Sequence, residues 1–331
     1  MKIRLAILEN DRAYLIRLVN IFTTKYSDRL EVYSFTDRDA AMEELEKSRI
    51  NVFLADEAFD IDTAGIPSTC GFAYLMDNSG VESFRDCRAV AKFQKVDLIY
   101  RQILSIHSEN AGSDVTLFQN DESCRLIAWC SPSGGTGASS MAAACAMYLG
   151  QRNKKVLYLN AETLGSSNVF FEGEGQFDFS DIIFAVKSRK TNLSLKLESC
   201  VRRDQSGVYF YKEAEVALDM LSFKTDEMLQ LISELKISGL FEYIILDTAF
   251  GLDEDSLKIL KACGSVILVG DGSIISNSKL IRAVRALELM EEGASERLLP
   301  RTGLFFNKFS NKTGTIPEGL DVKLVGGAPR Y

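Results

Sequence analysis

Short apolar runs and amphipathic stretches alternate along the first third of the chain. The runs IRLAIL (Ile3 to Leu8), LEVYSF (Leu30 to Phe35), INVFLAD (Ile50 to Asp56), GFAYLM (Gly71 to Met76) and RAVAKF (Arg88 to Phe93) read as strands by length and content. After the first, Tyr14, Leu15, Leu18, Val19 and Phe22 recur at the spacing of one buried helical face, and Asp11 is placed to cap that helix. Leu98, Ile99, Ile103 and Ile106 repeat the spacing and predict a helix from Val96 to Ile106. This alternation predicts a small doubly wound α/β domain.

The polar stretch HSENAGSD, His107 to Asp114, has neither period, so the boundary is expected there. The expected division is residues 1–110, a linker at 111–123, and a second domain at 124–331. Its strands read as CRLIAWC (Cys124 to Cys130), KVLYLN (Lys155 to Asn160), GVYFY (Gly207 to Tyr211), FEYIILD (Phe241 to Asp247), SVILVG (Ser265 to Gly270) and RTGLFFN (Arg301 to Asn307). Near-continuous apolar strands separated by helices indicate a parallel sheet covered on both faces. The fold class is therefore α/β with two doubly wound parallel-sheet domains and no internal repeat.

Composition narrows the function. With 331 residues and 46% hydrophobic content the chain can bury real cores. No run of about 18 apolar residues is present, and MKIRLAILENDRAYL places acidic residues where a signal peptide needs an apolar stretch, so a cytoplasmic location is expected. The seven scattered cysteines and single His107 form no metal-ligand pattern and read as buried free thiols. A net charge of -8, with VKSRK (Val186 to Lys190) the only dense basic cluster and Arg202 and Arg203 a weak echo, disfavours nucleic acid as the main partner.

The stretch CSPSGGTGASSMAAACAMYLG, Cys130 to Gly150, is a strand end, a glycine-rich turn and a helix of small residues. Such a turn aims backbone N–H groups and the positive helix end at an anion, with Gly134, Gly135 and Gly137 supplying the tight backbone and Ser139 a hydroxyl for Mg²⁺. Asp247, at the end of FEYIILD, puts a carboxylate at the same sheet edge, where it can hold Mg²⁺.

On SGGTGASS, VLYLNAE, IILDTAFG and LFFNK, in that order, the second domain resembles a deviant P-loop ATPase of the ParA/MinD class. LAILEND, NVFLAD and AVAKF make the first domain similar to a response-regulator receiver, of flavodoxin-like fold. The pair together resembles the TadZ/CpaE branch, which commonly has an alanine where other members have the P-loop lysine, as at Ala138.

The resemblance implies ATP and Mg²⁺ as cofactors, with Gly134, Gly135, Thr136, Gly137, Ala138, Ser139 and Ser140 around the phosphates. Ser139 and Asp247 would serve the metal, Glu162 and Asp247 would be catalytic, and Asn307 and Lys308 would border the adenine. The cross-dimer lysine of the class falls on Ser133 and the P-loop lysine on Ala138, and the first switch aspartate is Asn160. Each lost electrostatic contact of this kind costs about 10²–10³ in rate, so weak or absent hydrolysis is expected while binding survives.

In the first domain Asp56 falls at the phosphoacceptor position, Glu9 and Asn10 at the acidic pair, and Lys92 at the lysine. Met76 or Asp77 stands where a hydroxyl is needed and Phe93 where a proline follows, so a binding or dimerising module is expected rather than a phosphorylation switch. The implied function is an ATP-dependent homodimer that positions a Tad (Flp) pilus or secretion apparatus at the cell pole, at the inner face of the membrane through indirect association. The alternatives are an active MinD-type ATPase cycling on a membrane, with Lys279, Arg282 or Arg285 replacing the lost charge, and a response regulator with a degenerate output domain. The resemblance also implies a further helix after VKLVGGAPRY.

Overall fold

The computed structural model describes residues 2–78, 80–81, 83–110, 124–188, 192–310, 312, 314–317, 319–320 and 322–330. The chain forms two compact units: one holds the described residues of Met1–Leu117 and Phe184–Cys200, the other those of Phe118–Ile183 and Val201–Tyr331.

The first unit runs β1 (Ile3–Leu8), α1 (Arg12–Lys25), β2 (Leu30–Phe35), α2 (Arg38–Lys47), β3 (Val52–Asp56), β4 (Gly71–Met76), β5 (Ser83–Phe84), β6 (Cys87–Ala91) and α3 (Val96–Asn110). Its sheet has the order β2-β1-β3-β4-β6-β5, parallel except for the β5–β6 hairpin. Successive side chains of a strand face opposite sides. Leu5, Ile7 and Leu54 accordingly pack with Phe22 and Ile103 on one face, and Ala6, Leu8 and Phe53 with Leu45 and Tyr74 on the other. Asp11 caps α1 as the sequence predicts, accepting from the N–H groups of Ala13 and Tyr14 at 2.8 and 3.1 Å.

The remaining elements are β7 (Arg125–Cys130), α4 (Ala138–Gly150), β8 (Val156–Asn160), α5 (Ser167–Phe170), α6 (Phe179–Ser188), α7 (Leu193–Cys200), β9 (Arg202–Arg203), β10 (Tyr209–Phe210), α8 (Ala217–Ser222), α9 (Thr225–Ile237), β11 (Tyr243–Asp247), α10 (Glu254–Ala262), β12 (Ser265–Gly270), α11 (Ile274–Met290), β13 (Thr302–Phe309) and β14 (Lys323–Pro329). The second sheet, β14-β13-β12-β7-β11-β8-β10-β9, is parallel except for β9 at its edge. Ala142, Ala143 and Ala146 of α4 are buried among Trp129, Tyr158 and Ile245, so the small side chains bring this helix close to the sheet. The expected strand GVYFY contracts to Tyr209–Phe210, because only these two residues pair with β8.

One departure from the sequence pattern is instructive. His107 to Asn110, expected to open the linker, complete α3, while residues 111–123 lie outside the described residues. His107 and Ser108 are buried although their stretch is polar. The cause is α7, which returns to the first unit and packs along α3. Leu195 joins the apolar core, the Asn192 N–H donates to the Ser108 carbonyl at 2.9 Å, and Lys196 Nζ donates to Ser105 Oγ at 3.0 Å. Glu198 pairs with Arg29 and accepts from the Tyr100 hydroxyl at 3.4 Å. A polar segment thus becomes helical by satisfying a partner far away in sequence.

Candidate functional site

The loop from Ser131 to Gly137 joins β7 to α4. Ser131 fixes its start: Oγ donates to the Val269 carbonyl at the end of β12, 2.6 Å away, and accepts from the Ser133 N–H at 3.1 Å. Gly135 and Gly137 have φ of +79° and +87°, a region that penalises any Cβ. Gly137 is also confined, since a Cβ there would stand 2.4 Å from Asn307 Nδ2. That same nitrogen donates to the Thr136 carbonyl at 2.8 Å, so β13 clamps the loop. Gly137 caps α4 without a side-chain hydrogen bond, which leaves the first-turn N–H groups of Ala138, Ser139 and Ser140 without the capping partner such groups normally find.

Asp247 stands beside the loop because three strand ends lie in register: its Cα pairs with Trp129 of β7 and Asn160 of β8. The carboxylate is 1% exposed. Oδ2 accepts from the Tyr158 hydroxyl at 2.6 Å and from Asn160 Nδ2 at 3.1 Å. Burial pushes the carboxyl upward in pKa, against the hydrogen bonds of Tyr158, Ser139 and Asn160, which favour the charged form. Oδ1 is buried and finds no well-formed hydrogen bond among the described residues. An orphaned carboxylate oxygen beside a hydroxyl and a cluster of N–H groups fits a divalent cation carried by an anionic ligand.

Glu162 follows β8, its N–H donating to Asn160 Oδ1 at 2.9 Å, and its carboxyl is raised in pKa by burial first and by the Asp247 charge second. It lines a cavity of about 200 Å³ with Asn160, Phe179, Tyr211, Glu213 and Met220. Ser133 is buried and Ala138 half-buried at the two positions where the resemblance places lysines. Lys279, Arg282 and Arg285 lie exposed along α11. The lysine that does touch the loop is Lys308, whose Nζ donates to the Gly135 carbonyl at 3.1 Å.

The sequence reading missed Tyr158. It lies two residues before Asn160, on the same face of β8, so strand alternation carries the signal.

In the first unit, Glu9, Asp56 and Lys92 come together and are all buried, whereas Asn10 is exposed. Lys92 Nζ sits directly on Asp56, lies 3.2 Å from Glu9 Oε2, and is 3.0 Å from Asp77 Oδ1. Asp77, one of the two residues that fall near the missing hydroxyl's position, is therefore a third carboxylate on the same ammonium. Burial, then the hydrogen bond with Asp56, push Glu9 up to about 7. Asp56 is held below its ordinary value because hydrogen bonds from Glu9 and Lys92 outweigh its burial. Exposed Phe93 packs edge-on against Tyr14, whose hydroxyl donates to the Lys92 carbonyl at 2.8 Å. Among the described residues no group of three or more His, Cys, Asp or Glu side chains is arranged to hold a metal, and the seven cysteines are unpaired thiols. No described helix is long and apolar enough to cross a membrane.

Fold and loop together define a receiver-like α/β unit joined to a ParA/MinD-type P-loop fold. Solved structures similar to the chain include a ParA family ATPase from Chlorobium tepidum TLS, at a TM-score of 0.51 and 20% identity, covering 62% of this chain and 85% of that one. The septum site-determining protein MinD from Pyrococcus horikoshii OT3, complexed with Mg-ADP, aligns at a TM-score of 0.50 and 21% identity, covering 63% and 82%. Residues 1–108 match the family described as TadZ-like, receiver domain, so the front of the chain is a TadZ-like receiver domain. No curated protein matches the sequence.

Proposed function

We propose that this protein is an ATP-binding assembly factor of the TadZ/CpaE kind, which positions a Tad (Flp) pilus or secretion apparatus at the cell pole as a nucleotide-dependent homodimer. The observation that carries the nucleotide reading is the buried Oδ1 of Asp247, which has no well-formed hydrogen bond among the described residues, beside Ser139 and the uncapped start of α4. The N–H groups of Gly134 to Ser140 would cradle the phosphates, and Ser139 and Asp247 would hold Mg²⁺, which supplies charge neutralisation. Asn307 clamps the loop that must keep this shape.

Turnover is slow or absent in this reading, because Ser133 and Ala138 cannot stabilise charge that builds on a transferring phosphoryl group. Asp247 and Glu162 are the acids available to orient water, and both lie in surroundings that disfavour their ionised forms. Binding energy then serves to shift a monomer–dimer population rather than to drive a rapid cycle. Sedimentation velocity with Mg²⁺ and ATP, ADP or no nucleotide tests the assembly step. A faster-sedimenting species with ATP is expected, and identical profiles in all three conditions would overturn the dimer reading.

A further inference from the structure

The phosphate loop has no cationic side chain of its own, and the carboxylate of Asp247, with Glu162 near enough to feel its charge, stands at the same sheet edge. A polyphosphate carried in with Mg²⁺ keeps net negative charge, and no side chain of the loop offsets it unless a cation reaches in from another element. We infer that Lys308 is that cation: a positioning residue that holds the loop through Gly135 and gives the site its affinity for the phosphate chain. This rests on the nucleotide-binding reading above and departs from the resemblance, which puts Lys308 beside the base.

Three features of β13 support the assignment. Consecutive residues of a regular strand point to opposite faces, yet Asn307 reaches the Thr136 carbonyl and Lys308 the Gly135 carbonyl of the same loop. This double reach goes with a left-handed backbone at Lys308, φ +54°, where a non-glycine residue is strained. It also coincides with a break in the β13–β14 register between Phe306 and Phe309. The strand departs from regular geometry at the residue that delivers its ammonium to the loop. The ammonium has three donors and uses one on Gly135, so it can hold the loop and still face a phosphate oxygen.

Titration of ATP, ADP and AMP with Mg²⁺ into the full chain and into Lys308→Met, Lys308→Gly and Lys308→Arg tests this. Lys308→Met and Lys308→Gly are expected to bind ATP about tenfold or more weakly, the loss of a charge-assisted contact, with smaller losses for ADP and least for AMP. Lys308→Arg is expected to stay within a few fold of the unaltered protein. Lys308→Gly, freed of the left-handed strain, is expected to melt at or above the unaltered protein, which separates lost charge from lost folding. Equal losses for all three nucleotides would place the lysine on the base, and no loss would leave it a surface residue; either overturns the assignment while leaving nucleotide binding intact. No binding of any nucleotide by the unaltered protein would overturn the nucleotide reading and this assignment with it.

Discussion

The two units each bring a lysine to a carboxylate-bearing sheet edge, and they treat it in opposite ways. In the first, Lys92 is buried and surrounded by Glu9, Asp56 and Asp77, its charge spent inside the protein. In the second, Lys308 is exposed and, among the described residues, bonds only to a loop carbonyl, while the buried Asp247 keeps an oxygen without a well-formed partner among them. A site whose charges are paired among themselves behaves as structure. One whose groups still lack partners is prepared for a ligand. The comparison explains why the nucleotide reading rests on the second unit.

The largest expected effect comes from breaking the closed site. Lys92→Met leaves Glu9 and Asp56 buried without their cation, and unfolding by denaturant is expected to show a loss of about 3–5 kcal/mol. A loss below about 1 kcal/mol would mean that the three carboxylates do not depend on it.

Asp247→Ala comes next. It strips the acceptor from the buried Tyr158 hydroxyl and from Asn160, at a cost of roughly 1–3 kcal/mol for each buried group left unsatisfied. It is also expected to remove the dependence of ATP affinity on Mg²⁺, read by titration with and without the metal.

Gly137→Ala follows, with about 1–3 kcal/mol of destabilisation from a Cβ at φ +87° that meets Asn307, and with nucleotide affinity lost. Unchanged affinity would show that the loop does not need its present shape.

The pH response is smaller and belongs to the first unit. Glu9 is raised from an ordinary value of 4.5 to about 7, so its contribution to stability is fully present below 4.5 and is lost as pH rises through 7. Asp56, lowered from 3.8, contributes stability that is present above that value and is lost as pH falls below it. Thermal unfolding of Glu9→Gln is therefore expected to vary less between pH 5 and 8, about the window these shifts define, than that of the unaltered protein. A parallel pH dependence in both proteins would contradict the assignment to Glu9.

The smallest effect is on stability at Lys308, where exposed Lys308→Met is expected to shift unfolding by no more than about 0.5 kcal/mol. The same substitution acts on binding, which completes the contrast with Lys92.

Much of this was legible in the sequence where the signal is local. Apolar runs placed most strands of both sheets but not the short edge strands β5 and β9, Asp11 announced the first helix, and glycine spacing marked the loop. What escaped depends on partners far apart in the chain. The last turn of α3 reads as linker until α7 covers His107 and Ser108, and Asp77 reads only as a candidate for the missing hydroxyl's place until Lys92 meets it. Lys308 reads by resemblance as a residue bordering the base, and its contact with Gly135 goes with a left-handed backbone that the sequence does not announce.

The most direct test of the central claim is calorimetric titration of ATP with Mg²⁺ into the purified protein, with phosphate release followed in the same sample. The account predicts saturable binding with negligible release. No binding, or steady release at the rate of an ordinary ATPase, would contradict it.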